Sequence, residues 1–551
     1  MPHPESKHGE SQDSPGHDSR SSAAQGAGTG ARPNIVIVQA DQMAADALGA
    51  YGNDVVQSPH MDELAAEGAV FDRAYCNSPL CAPSRASMMT GQLPSEIGCY
   101  DNGDDFASSI PTFAHHLRTA GYHTALVGRM HFIGPDQHHG FEQRLTTDVY
   151  PADLDMVPDW SLGSHERLPW YHEADSVFTA GVSHATVQQD FDDEVGFKAL
   201  RHLADRARAN KSAGEDQPFL MVASFIHPHD PYEPPREHWD RYEGVTIDEP
   251  EHPNVPDEAA DPHSHRLRAM SGFDARQPDA EQTRRARRAY YAAVSYIDDH
   301  IGRLRERLEA LGLAENTVFI VTSDHGDMRG EKGLWYKMSP YEQSSRVPMI
   351  VHGPQGLVPQ GRIAQTVSLL DLAPTVLGLA GADSAGLPGR SLLSTATGEL
   401  TAGERRTEAD VVPGHAVEAG ERDVVIEYLA EGVTRPQITI IRGQYKFTHC
   451  PGDPDQLFDL EADPAELASV AADPALTDLV AELRAEIRER YDLGTLERDI
   501  VASQRRRQLV STALATGVAR HWDVNPDEPQ RYVRGDFWGA LEYGKIPDSQ
   551  R

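Results

Sequence analysis

The chain has 551 residues, with 50 Lys and Arg against 85 Asp and Glu, a formal net charge of −35 at pH 7. That length suits one large domain with a smaller companion. So negative a chain repels nucleic acid and anionic lipid, so neither is an expected partner, and any anion pocket must be built locally against the global field.

Residues 1–31 are polar and lack an apolar core, so they read as a disordered arm rather than a signal peptide. No run approaches a membrane span. Order begins at "RPNIVIVQAD", where Asn34 to Val38 form an apolar, β-branched run ending at Asp41, as a buried parallel strand does. Next comes "SPLCAPSRASMMTGQ", whose segment from Pro83 to Thr90 predicts a helix stopped by Gly91, with Cys81 at its positive end. Two further strands, "PFLMVASFI" and "NTVFIVTS", run into "HPHDPY" and "DHGDMRGEKG". Between them, Val294, Ile297, Ile301, Leu304, Leu308 and Leu311 recur at helical spacing and predict an amphipathic helix over 285–312.

Strand and helix alternation of this kind implies an α/β doubly wound sheet, with the ligand crevice beyond the carboxyl ends of the strands. This catalytic domain spans 32–383. A smaller α+β subdomain is expected over 384–500, from the strands "DVVIEYL" and "QITIIRGQYKF" and the helix "ALTDLVAELRAEIRERY". Residues 501–551 form a tail rich in Arg, Trp, Tyr and Pro.

The polar tips carry the chemistry. Asp41, Gln42, Asp324 and His325 offer two carboxylates, an amide oxygen and an imidazole, a set suited to one divalent cation, Ca²⁺ or Mn²⁺. Arg85, Arg129, His131, His227, His229 and Lys337 add the positive and imidazole groups that a tetrahedral oxyanion needs. The four cysteines are too few for a disulfide scaffold, and the spacing of Cys76 and Cys81 lacks a second pair for zinc, which favours a reducing compartment, the cytoplasm. Cys81 also fits a simple thiolate poorly, because Arg85 is four positions on and Pro83 interrupts the loop.

"CAPSR" followed by "ASMMTGQLPSEIG" resembles the Cys-x-Pro-Ser-Arg motif of type I sulfatases in the alkaline-phosphatase superfamily, a likeness covering most of residues 33–500. The resemblance implies an alkaline-phosphatase-like mixed sheet and a Cys81 oxidised to formylglycine by a formylglycine-generating enzyme, its hydrate supplying the reacting hydroxyl. It implies Asp41, Gln42, residue 81, Asp324 and His325 as metal ligands, and Arg85 as the group orienting the hydrate. It further implies His229 and Lys337 as proton donors to the leaving alcohol, and His131 as acceptor of a hydrate proton. One departure is "GRMH", where Arg129 stands in place of the family's usual lysine and keeps the charge as a bulkier fork.

Within the family, "SPLCAPSRAS", "YDN", "MHFIGPDQHHGFEQRLTTDVYPAD", "WYH", "HPHDPY" and "LFDLEADP" resemble the choline sulfatases. The implied substrate is a small sulfate ester, choline sulfate, whose quaternary ammonium wants aromatic faces and carboxylates. Asn102, Trp170, Tyr171, His172 and Glu427 or Glu431 are the candidate cage, while Met156 and Glu173 replace residues usual in that subfamily. A homo-oligomer, dimer or tetramer, is expected, with the tail closing its own or a neighbour's pocket. The competing readings are an arylsulfatase, a phosphonate monoester hydrolase or phosphodiesterase, and a non-catalytic metal-dependent anion-binding protein whose Cys81 stays a thiol.

Overall fold

The computed structural model describes residues 32–518 apart from 165–167, 169, 215, 254–260 and 398–421, together with 522–524. The expected arm at 1–31 and most of the tail after 518 lie outside the described residues. No described helix is long and apolar enough to cross a membrane.

An eight-stranded sheet organises the larger part. Its strands are β1 (Asn34–Asp41), β2 (Ala69–Tyr75), β3 (His123–Gly128), β4 (Gln143–Arg144), β5 (Phe219–Pro228), β6 (Thr317–Ser323), β7 (Met349–His352) and β8 (Gly361–Ser368), in the order β4-β3-β5-β1-β6-β7-β2-β8. All neighbours are parallel except β7, which runs antiparallel to both β6 and β2. This is the mixed α/β sheet expected.

β1 is buried at every position because each face meets a helical layer. Val36, Val38 and Ala40 point to one layer, with α2 (Val187–Ala213) and α3 (Ala280–Ala310). Ile35 and Ile37 point to the other, with α1 (Cys81–Thr90) and α4 (Leu372–Ala380). The period-two alternation of a strand thus feeds both cores. In α3 the expected stripe from Val294 to Leu308 is buried. The helix starts earlier than its apolar pattern, at Ala280, because Asp279 and Gln282 form a reciprocal cap ahead of an arginine-rich turn.

The smaller part is a four-stranded antiparallel sheet, β9 (Val424–Tyr428), β10 (Gln437–Arg442), β11 (Tyr445–His449) and β12 (Gln456–Asp459), covered by α5 (Thr477–Arg490) through Val480, Leu483 and Ile487. It is tied to the large sheet's loops by buried Lys446, whose Nζ lies 2.7 Å from Glu342 and 2.9 Å from Glu466. The last described helix, α6 (Leu493–Leu514), is capped by Asp492 and runs straight through the boundary expected at 500/501.

At the carboxyl end of β3, Gly128 sits at φ +108 and packs so tightly on β5 that a Cβ would lie 1.9 Å from the Ser224 carbonyl oxygen. Only glycine fits this close approach, which turns the chain so that Arg129 and His131 enter the crevice. Gly128→Ala should lower stability by about 1–3 kcal/mol, read as an earlier urea midpoint at unchanged m-value. An unmoved midpoint would mean that β3 can back away from β5 at little cost.

Candidate active site

The parallel register pairs Ala40 with Ser323, so Asp41 and Asp324 emerge side by side at adjacent strand tips. Cys81 opens α1 opposite them. Potential ligand atoms of Asp41, Cys81, Asp324 and His325 all lie within 4.8 Å of one another, and all four residues are buried. The Cys81 sulfur is 3.3 Å from His325 Nε2 and 3.9 Å from Asp41 Oδ1. His325 donates its Nδ1 proton to the Gly326 carbonyl at 3.1 Å, so Nε2 is a bare lone pair, 3.8 Å from Asp41 Oδ1 and 3.5 Å from Asp324 Oδ2. Burial pushes that imidazole down to about 4, so it is neutral at pH 7. Two carboxylates and a neutral lone pair converging on one point make a donor set that fits a divalent cation.

The remaining expected ligand, Gln42, adopts a left-handed φ of 69 that swings it off the strand. Its amide oxygen accepts from Lys337 Nζ at 2.7 Å, and its nitrogen donates to Asp327 at 2.6 Å. An amide oxygen has two lone pairs, so the lysine occupies one and leaves the other.

Cations balance the acids. Arg85, without solvent exposure, donates Nε to Asp324 and NH2 to Asp41, both at 2.9 Å, and NH1 to Ser224 and the Arg129 carbonyl. Arg129 brings Nε to 2.8 Å from Asp41 and lays its guanidinium 4.3 Å over the Tyr150 ring, so the fork's extra bulk has a packed place. Burial alone would raise Asp41, but the surrounding cations, Arg129 foremost, hold its carboxyl well below the usual range. Burial and Asp41 push the Cys81 thiol up to about 11, so without a metal beside it the residue is a thiol at neutral pH.

The histidine tautomers follow from their partners. Arg129 NH2 can only donate, so its 3.2 Å contact makes His131 Nδ1 the acceptor and leaves the imidazole proton on Nε2. In the substrate-free site buried His131, pushed down to about 3, is therefore neutral, with its Nε2 proton free of any partner among the described residues. His229 gives its Nδ1 proton to the Asp230 carbonyl at 2.5 Å, and burial and Lys337 hold it well below the ordinary histidine value. In the substrate-free site its Nε2 is consequently a lone pair, and Lys337 donates to Gln42.

Above this floor the cavity is lined by Asn102, Met156, Trp170, His172, Asp230 and Glu431. Two expected cage residues lie elsewhere. Tyr171 is buried behind Trp170 and directs its hydroxyl to the Met338 sulfur at 3.1 Å. Glu427 lies within β9 and accepts from Ser95 N and Oγ and from Tyr491, each at 2.7 Å, which makes it a joint between lobes. Glu431, the other acid weighed from the sequence, reaches the cavity because it sits past the end of β9.

Reading by residue type passed over Asp230 and Tyr150. Asp230 accepts from His172 Nδ1 at 2.9 Å and from Gln42 Nε2 at 3.3 Å, besides holding His229 through its carbonyl. Its place inside "HPHDP" was the available signal.

The family model described as Sulfatase matches residues 33–382. The chain belongs to the sulfatase family. Models described as N-sulphoglucosamine sulphohydrolase, C-terminal, and as Choline sulfatase enzyme C terminal match residues 330–492 and 498–543. The chain is 40% identical over 518 residues to a choline-sulfatase of Rhizobium meliloti (strain 1021), covering 92% of this chain and 96% of that protein. It is 29% identical to an arylsulfatase of Clostridium perfringens (strain 13 / Type A), covering 63% of this chain and 75% of that one. A protein solved in complex with its substrate D-glucosamine-2-N,6-O-disulfate shares the fold at a TM-score of 0.64 and 23% identity, covering 85% of this chain and 99% of that one. The phosphonate monoester hydrolase of Agrobacterium radiobacter does so at 0.62 and 22%, covering 83% and 95%. The fold is therefore the alkaline-phosphatase-like one expected, and this sulfatase is a sulfuric ester hydrolase.

The convergent donor set makes a direct prediction. Millimolar Ca²⁺ or Mn²⁺ added to chelator-stripped sulfatase should raise its melting temperature, by an amount equivalent to about 2.7 kcal/mol at a hundredfold excess over Kd. The shift should vanish in Asp324→Asn. An equal shift in that variant would place the bound ion elsewhere.

Proposed function

We propose that this sulfatase hydrolyses a small cationic sulfate ester, choline sulfate, at a formylglycine formed from Cys81 by a formylglycine-generating enzyme. The observation that carries the organic half is Glu431. Its Oε2 is buried on the cavity wall and has no hydrogen-bond partner among the described residues. A quaternary ammonium is the cation that satisfies such an oxygen by charge alone, because it has no N–H to donate. Trp170, on the same wall, offers the ring face that such a cation prefers. The 40% identity to a choline-sulfatase supports the same reading.

Asp41, Gln42, Asp324 and His325 would hold one Ca²⁺ or Mn²⁺, which with the aldehyde hydrate would supply a nucleophilic hydroxyl at neutral pH and neutralise charge on the sulfate oxygens. The chain's own residues do the rest. Arg85 fixes the two carboxylates and the start of α1. Arg129, with His131 Nε2–H, faces the sulfate as a donor pair. Lys337, held by Gln42, gives the proton that the departing alcohol requires. Asp230 orients His172 and His229 toward the ester oxygen, where the arriving negative charge raises their proton affinity.

Rates on choline sulfate, 4-nitrophenyl sulfate and a phenyl phosphonate monoester, with the mass of the peptide containing residue 81, test this reading. Choline sulfate should give the highest kcat/KM and residue 81 should be converted. Fastest turnover of the phosphonate would favour the phosphorus-ester alternative, and an unconverted thiol in active protein would remove the formylglycine route.

A pH profile separates Glu431 from its neighbours. Burial, with Asp101 adding, pushes its carboxyl up to about 8, so it is protonated at pH 6.5 and ionised at pH 9. A bound cation favours the ionised form, so KM for choline sulfate should fall as pH rises through that range. Glu431→Gln should flatten the dependence and raise KM at pH 9 about tenfold, equivalent to about 1.4 kcal/mol. A variant with the parent's slope would exonerate Glu431.

A further inference from the structure

We infer that α6 is a brace that sets the organic-substrate side of the cavity, with Arg507 as its positioning residue; the inference rests on the sulfate-ester reading for the choice of substrate alone. Two irregular loops form that side. One, residues 99–104, carries Asn102; the other, residues 153–160, carries Met156. Neither belongs to the sheet, yet both must hold a side chain still against a small ligand.

Arg507 grips the first loop. Its NH1 and NH2 donate to Asp101 Oδ1 and Oδ2 at 2.7 and 2.8 Å, and its Nε lies 3.2 Å from Asp104. Ser503, one turn back on α6, accepts from the same Nε at 3.1 Å and aims the fork. Asp101 and Asp104 in turn accept from Gly103 N and Tyr100 N, closing the loop around Asn102. Asn102 Oδ1 accepts from Ala82 N at 3.0 Å, next to Cys81 in the first turn of α1. A continuous line of bonds thus joins α6 to the residue on the cavity wall and to the helix that presents position 81.

The second loop is gripped from the same face. Gln504 Oε1 accepts from Trp160 N at 3.0 Å, Gln508 donates to the Pro158 carbonyl at 3.4 Å, and Ser511 donates to Asp155 at 2.8 Å. The loops also bear on each other, since a Cβ on Gly103 would lie 2.6 Å from the Met156 carbonyl carbon.

A buried bidentate arginine is a poor source of net stability, because desolvation offsets most of its attraction, but its planar fork fixes direction. Here one guanidinium faces two buried carboxylates, and burial with Asp101 pushes Asp104 up to about 8. Replacing Arg507 leaves the loop charged, desolvated and free to shift, and small misplacements of a positioning group cost binding steeply.

The test is a double-mutant cycle in the full-length enzyme. Arg507→Met should raise KM for choline sulfate about tenfold while kcat changes less than threefold, and Arg507→Lys, which lacks the fork, should restore little. In an Asn102→Ala background, Arg507→Met should add less than threefold, because its effect already passes through Asn102. Hydrogen exchange should quicken in residues 99–104. Should Arg507→Met misfold, the pair Asp101→Asn with Arg507→Gln removes both charges and is read in the same way. Full multiplicative losses in both backgrounds, or an unmoved KM, would overturn the brace. If the enzyme proves inactive on choline sulfate, the same cycle on 4-nitrophenyl sulfate still decides the point, so failure of the substrate reading stays distinct from failure of this one.

Discussion

The site depends on one buried arrangement: Arg85, fully enclosed, bridging the carboxylates of Asp41 and Asp324. Parallel pairing of β1 with β6 forces those acids together, and two desolvated negative charges at neighbouring strand tips would push the strands apart. A guanidinium reaching both at 2.9 Å resolves the conflict while leaving Asp41 Oδ1 turned toward Cys81 and His325. Arg85 can do this only from the second turn of α1, so the constraint that stabilises the strand tips also fixes where Cys81 begins its helix. The motif spacing between Cys81 and Arg85 is therefore a distance between two jobs, presentation and charge balance, on one helix.

The charge pattern of the whole molecule sharpens this. A chain at −35 gathers Arg85, Arg129 and Lys337 in one crevice, all at most 1% exposed. Low dielectric around them strengthens each contact with an anion. The crevice is further ordered by proton direction. His325 and His229 present lone pairs, while His131 presents a proton, each fixed by what the other ring nitrogen touches. Three imidazoles of one residue type thus supply two different functions.

Much of this was legible in the sequence, and the reasons differ by feature. Strands β1, β5 and β6 announce themselves because a strand buried on both faces must be continuously apolar, and their ends are marked by Asp and His. The stripe in α3 is legible for the same reason, whereas its start is not, since a cap of Asp279 and Gln282 leaves no apolar trace. Glu427 and Glu431 are equivalent by composition, and only the end of β9 between them decides that one joins lobes and the other faces the cavity. Residues 501–551 read as a tail closing its own or a neighbour's pocket, with no arginine in it singled out. Arg507 instead lies 406 positions from its carboxylate partner and is 4% exposed, a pairing that no local pattern encodes. Tautomers are invisible to sequence altogether, because they are set by distances to partners.

These differences separate the chemistry of the crevice floor from that of its wall. The floor is built by strand tips and α1, elements whose register the cores enforce, and in the proposed reading its donors take the sulfate of any ester. Proteins with the same fold act on substrates as unlike as a disulfated glucosamine and a phosphonate monoester, so the fold itself does not choose the alcohol. The wall does, and it is assembled from loops that the sheet does not control. A carboxyl oxygen left without a hydrogen-bond donor, at Glu431, is costly in a protein interior. In the proposed reading a cation offsets that cost, provided that Asn102, Met156 and Trp170 stay close enough to exclude water. On that reading, selectivity for the alcohol depends on how firmly the loops are held, and the helix holding them, α6, lies at the far end of the chain from the strand tips of the floor.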